Sequence, residues 1–121
     1  MPGLTLVSTP GHRSAATSVR VQDGEHTVLI LGDTLHLPVQ VCYPEWSSVW
    51  DTHQEQAART RAHVVEEAER EQLILAVPHI PFGGLGTVER ANGQRVWSPL
   101  EQVEQTVNPL EPVRLGQARR V

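Results

Sequence analysis

Apolar and polar positions divide the chain into short strand-like runs and one long amphipathic segment. Residues 3–7, "GLTLV", read as a strand that ends at the turn Pro10-Gly11. Residues 17–21, "TSVRV", alternate polar and apolar with the period of two that marks a half-buried strand. Asp23-Gly24 is a turn signal leading into "HTVLILGD", residues 26–33. Its continuous run from Val28 to Leu31 predicts a strand covered on both faces, stopped by Gly32.

Residues 34–50 are irregular and rich in proline and aromatic side chains, with Trp46 and Trp50 spaced to share one face of a helical turn. Thr52 and Glu55 have the Thr-x-x-Glu spacing of a capping box, and a helix is predicted from 54 to about 71. Its apolar stripe is Ala58, Ala62, Val65 and Ala68, with Arg59, Glu66, Glu67, Glu69 and Arg70 on the wet side. Such small residues predict close packing on a sheet. "LILAV", residues 73–77, is a further buried strand, stopped by Pro78 and followed by His79. After the loop "PFGGLG", "TVERANGQRVW" reads as a hairpin about a type I′ Asn92-Gly93 turn. Beyond Pro99 no period persists, and a short helix over 101–106 followed by a loose tail to 121 is the expectation.

With 121 residues the chain suffices for one domain with one modest core. The net charge of −4 and the scatter of its ten basic residues argue against a nucleic-acid surface. No apolar run is long enough to span a bilayer, and the start lacks the features of a signal peptide. Cys42 is the single cysteine, so no internal disulfide forms, and the expected location is the cytoplasm.

The chemistry gathers at strand ends. One predicted strand runs into His12, one into Asp33 and one into His79. Loops at one end of a sheet are where α/β folds keep their chemistry, and imidazole with carboxylate suits zinc and similar divalent ions. Each residue also has a plainer reading: a loop histidine beside a proline, an aspartate that forms a turn after glycine. Tyr43, Trp46, Trp50 and Phe82 read first as core aromatics and second as contact residues.

"TPGH" at 9–12, "LILGDTLH" at 29–36 and "AVPHIPF" at 76–82 resemble, in order and spacing, the second half of the metallo-β-lactamase superfamily. The Gly-Asp-x-x-His form and the strand-Pro-His ending resemble most the branch of quorum-signal lactonases and organophosphate hydrolases. The resemblance implies an α/β (α+β) fold: the C-terminal half of an αββα sandwich, a mixed sheet with one main amphipathic helix, over residues 1–100, with 101–121 as a tail. It implies two divalent metal ions, expected to be zinc. His12 would ligate the first, His79 the second, and Asp33, the catalytic carboxylate, would bridge them. A metal-bound hydroxide would attack the ester, lactone or related bond of a small-molecule substrate. His36, Trp46 and Phe82 are the candidate substrate-contacting residues.

Two departures accompany the resemblance. The run after the ligand histidine is Arg13-Ser14-Ala15-Ala16, where the family repeats Thr-Pro-Gly-His, and this sets a cation beside the proposed metal. The His-x-His-x-Asp-His motif that supplies the family's other ligands is missing from these 121 residues. The implied protein is thus a metallohydrolase half that is inactive alone. It is expected to leave one face of "VLIL" and "LILAV" open for a missing N-terminal half or a second copy. The alternative is a non-catalytic binding or dimerisation module derived from that fold. A third reading is a mononuclear site on His12, Asp33 and His79.

Overall fold

The computed structural model describes residues 3–80 and 84–100. They form a mixed α+β fold in which one six-stranded sheet carries its helices on one face. The strands are β1 (Leu4–Ser8), β2 (Thr17–Asp23), β3 (His26–Ile30), β4 (Ile74–Ala76), β5 (Leu85–Ala91) and β6 (Gln94–Pro99), paired in chain order. All neighbours are antiparallel except β3 and β4, which run parallel. A parallel pair needs a long crossover. Here it consists of a 3-10 turn at Gly32–Thr34, the short helix α1 (Val39–Cys42) and the long helix α2 (Gln54–Glu71). The hairpins close where the sequence places them: Gly24 takes φ +59° between β2 and β3, while Asn92 and Gly93 take +52° and +79° between β5 and β6.

α2 keeps its predicted length, but its start and its buried stripe differ from expectation. The capping box is not formed. His53 is the N-cap and makes no side-chain cap, and the Thr52 hydroxyl accepts a hydrogen bond from Arg13 instead (2.9 Å). The buried stripe is Ala57, Arg61, Val64, Val65 and Ala68; Ala62 is exposed. A pattern read from apolarity alone cannot place an arginine inside, and Arg61 is buried because polar partners surround its guanidinium. Part of the predicted wet side also turns back to the sheet. Glu67 accepts from Arg20 of β2 (2.9 Å), and Glu69 accepts from Arg90 of β5 and Arg95 of β6 (3.1 Å each).

The core lies between sheet and helices. It joins Leu29, Leu31, Leu35, Val41, Val64, Val65, Ala68, Leu73, Leu75, Val77, Ile80 and Val88, with Val7 and Trp97 packed against it. Trp97 is the aromatic side chain that joins this core among the described residues. Tyr43, Trp46 and Trp50 are exposed, which corrects the expectation that these aromatics fill it. Residues 46–50 form no helical turn, so Trp46 and Trp50 share no helical face. The segment is held through its main chain, with the Trp46 carbonyl accepting from Gln40 at 2.7 Å, and its rings face outward.

Among the described residues, the opposite face of the sheet carries no helix. The strand registers align Leu6, Val19, Ile30, Ala76 and Leu85 in one row across five strands. Leu6, Ile30 and Leu85 are 69%, 39% and 45% exposed. β3 is therefore covered on one face only, that of Leu29, as expected of this half by itself, although the continuous apolar run taken alone suggests both. The proposed tail and the short helix at 101–106 lie outside the described residues, as does Phe82.

Candidate metal centre

Three strands point the same way: β1 and β3 are both antiparallel to β2, and β3 is parallel to β4. Their C-terminal ends therefore reach one rim. His12 follows β1 by four residues, and Asp33 and His79 follow β3 and β4 by three each. The topology brings to one place residues that are 46 positions apart in the chain.

The turn that presents His12 is locked onto the start of α2. Gly11 (φ +138°) lies so close that a Cβ on it would fall 2.2 Å from the Ala57 Cα. The Gly11 and His12 carbonyls accept from the His53 and Thr52 amides at 2.9 and 3.1 Å, and the Pro10 carbonyl accepts from the Thr60 hydroxyl at 2.7 Å. Arg13, the cation next in sequence, folds over residues 50–52. It donates to the His12 and Trp50 carbonyls and to Thr52 Oγ1, which spends its charge on the loop rather than on the rim.

Asp33 sits at the centre. Its Oδ1 lies 2.6 Å from His79 Nε2 and 3.6 Å from His36 Nε2, and its Oδ2 lies 3.6 Å from His12 Nε2. His36 neighbours both other imidazoles, with ring centroids 5.6 Å apart for His12 and His36 and 5.0 Å for His36 and His79. The hydrogen bond to His79, with lesser attraction from His12, His79 and His36, outweighs desolvation and holds the Asp33 carboxyl below its ordinary value. Burial pushes His36 below the ordinary imidazole value and the charge of a protonated His79 adds to this, against the Asp51 and Asp33 carboxylates. The main chain of this segment is fixed by Gln40, whose Oε1 accepts from the His36 and Leu37 amides at 2.8 and 3.1 Å.

The donor set fits a divalent ion. Asp33, His36 and His79 each offer one atom, and these atoms all lie within 4.8 Å of one another. His36 Nδ1 is buried without a hydrogen-bond partner. His12 Nδ1 is taken by Asp51 Oδ1 at 2.9 Å, so its Nε2 is the nitrogen turned to Asp33. A ligand histidine needs this arrangement, with one nitrogen on an outer carboxylate and the other toward the ion.

Of the residues singled out from sequence, His12, Asp33, His36 and His79 come together. Trp46 does not join them; its indole stacks on Tyr43 at 4.7 Å. Two residues of the surroundings escape a sequence reading, Asp51 and Arg61. Asp51 looks like one more polar loop residue and Arg61 like one more charge on a helix; their partners lie 39 and 27 positions away.

Solved structures share this arrangement of sheet and helices. The chain is similar to the hydrolase AbOPH of the β-lactamase superfamily, at 25% identity and a TM-score of 0.78, over 86% of this chain and 36% of that one. It is similar to AidC, a dizinc quorum-quenching lactonase solved with a product, at 20% identity and a TM-score of 0.77, over 84% and 35%. An N-acyl homoserine lactone hydrolase, solved with N-hexanoyl-L-homoserine at its catalytic metal centre, matches at 21% identity and 0.53, over 70% and 31%. The chain thus has the fold of metallo-β-lactamase superfamily hydrolases and spans about a third of the length of these relatives. No protein-family model and no curated protein sequence matches it. No helix among the described residues is long and apolar enough to cross a membrane.

Proposed function

We propose that the chain supplies the Asp33-centred part of a divalent-metal centre, expected to hold zinc, in a hydrolase of ester, lactone or related bonds. The observation that carries this reading is the convergence of His12, His36 and His79 on one carboxylate. Divalent ions held there would polarise a scissile C=O or P=O and acidify a coordinated water. Asp33 turns Oδ2 to His12 and Oδ1 to His36 and His79, so its two oxygens suit a bridge between two ions. His12 would hold the first ion and His79 the second. His36 faces the same oxygen as His79, placed both to donate to that ion and to touch a small-molecule substrate.

The remaining ligands and the cover of the open sheet face come from polypeptide outside these 121 residues. The row Leu6, Ile30 and Leu85 supports this, as does the share of the neighbours that the chain spans. A second reading, a non-catalytic binding or dimerisation module, rests on the same face together with the exposed Tyr43, Trp46 and Trp50. Calorimetric titration of the chain with Zn²⁺, beside assays on aryl esters, acyl homoserine lactones and phosphotriesters, tests both. Saturable Zn²⁺ binding that disappears in Asp33→Asn supports the metal centre. No saturable binding of Zn²⁺, Mn²⁺, Co²⁺ or Fe²⁺ overturns it and leaves the module.

A further inference from the structure

We propose that Asp51, anchored by the buried Arg61, is a positioning residue that sets the tautomer of His12 and so turns a bare Nε2 toward Asp33. The Asp51 side chain is fully buried. Its two oxygens have separate duties. Oδ2 accepts from Arg61 Nη2 at 3.1 Å and from the Ser48 amide at 3.2 Å, while Oδ1 meets His12 Nδ1 at 2.9 Å. A carboxylate only accepts, so His12 must carry its proton on Nδ1. In the neutral ring Nε2 is then bare and faces Asp33 Oδ2 at 3.6 Å. Two acceptors set opposite each other in this way suit a cation between them.

Arg61 makes the arrangement specific. It is fully buried, and each donor group has an acceptor: Nε to the Thr34 carbonyl at 2.9 Å, Nη1 to the Pro44 carbonyl at 2.7 Å, Nη2 to Asp51. One guanidinium thereby holds the carboxylate behind His12 and the main chain immediately after Asp33. A helix stripe that had only to pack would be served as well by an apolar side chain, since a buried ion pair gains little against its desolvation. A positioning role accounts for both charges. It also fixes what an amide at 51 would do. The site of Oδ2 faces two donors and must stay oxygen, so the NH₂ of Asp51→Asn would fall opposite His12 Nδ1. That nitrogen would have to accept, and the proton would move to Nε2, where it blocks a ligand position.

The test is nitrogen-15 correlation spectroscopy of the histidine rings in the metal-free full chain, with His12 assigned from His12→Gln, followed by Zn²⁺ titration. The expected result is the Nδ1–H tautomer in the wild type and the Nε2–H tautomer in Asp51→Asn, with Zn²⁺ affinity lower by tenfold or more, as loss of an outer-shell partner generally causes. The conservative Asp51→Glu should restore the Nδ1–H form. A wild-type His12 protonated on Nε2, or an unchanged tautomer in Asp51→Asn, overturns the proposal, and the wild-type spectrum decides even if the variant fails to fold. The affinity arm rests on the metal-centre reading above, whereas the tautomer arm does not. A shifted tautomer in a chain that binds no Zn²⁺ would count against that reading alone. An unchanged affinity in an Asp51→Asn chain that binds Zn²⁺ would remove the positioning role.

Discussion

Gly11 and Ala57 touch backbone to backbone: a methyl group on the first would lie 2.2 Å from the Cα of the second. This contact seats the His12 turn on the first turn of α2, and α2 also carries Arg61. The position of the first imidazole is therefore tied to the helix rather than to β1 alone.

Gly11→Ala should accordingly cost about 3 kcal/mol, at the upper end for overpacking because rigid backbone is what it meets. Urea unfolding followed by circular dichroism gives the value. A loss within a few tenths of a kcal/mol would mean the turn moves freely off the helix, and the proposed site geometry would lose its anchor.

Arg61→Met leaves the Asp51 carboxylate buried without its guanidinium. Removing one partner of a buried pair costs about 3–5 kcal/mol. Restoring neutrality with Arg61→Met/Asp51→Leu should recover part of it, although the double variant also strands His12. Equal stabilities for wild type and Arg61→Met in denaturant titration would show that the pair is uncoupled.

The pH dependence follows from His36 and Asp33. His36 is held below the ordinary value of 6.5 chiefly by burial, so the fold prefers its neutral ring. Its contribution is whole above pH 6.5 and is lost as pH falls from there through the lowered folded value. Asp33, lowered from 3.8 mainly by the His79 hydrogen bond, contributes above that value and loses its share only in stronger acid. The metal-free chain should be less stable at about pH 5.5 than at about pH 7.5. Metal affinity should fall over the same interval, because ligand imidazoles must be neutral. Proton titration of His36 by NMR checks the first link; a midpoint above 6.5 contradicts it.

The open face supplies the last prediction. Leu6 and Leu85 stand at opposite ends of one apolar row, and both are largely exposed. The isolated chain should associate as its concentration rises, and Leu6→Lys/Leu85→Lys should reduce this without changing the circular-dichroism spectrum. Sedimentation velocity reads the outcome. A wild-type chain that stays monomeric over the whole accessible range would show that this face needs no cover.

Local signals were enough for much of the architecture. Alternation and turn chemistry placed the β2–β3 and β5–β6 hairpins, and the helical period placed α2 within a residue or so of its observed ends. Strand-ending glycine and proline marked where Asp33 and His79 leave the sheet. These features depend on neighbours within a few positions, and such information is complete in the chain itself. The tertiary structure decided what depends on distant partners. It placed Arg61 inside, since polar groups from residues 34, 44 and 51 accept from its guanidinium. It drew the Thr52 hydroxyl away from the helix cap to Arg13 and turned the aromatics of 43–50 outward. It also set Asp51 behind His12. Burial of a charge and the identity of a hydrogen-bond partner are properties of three-dimensional neighbourhoods, and no periodicity along the chain encodes them.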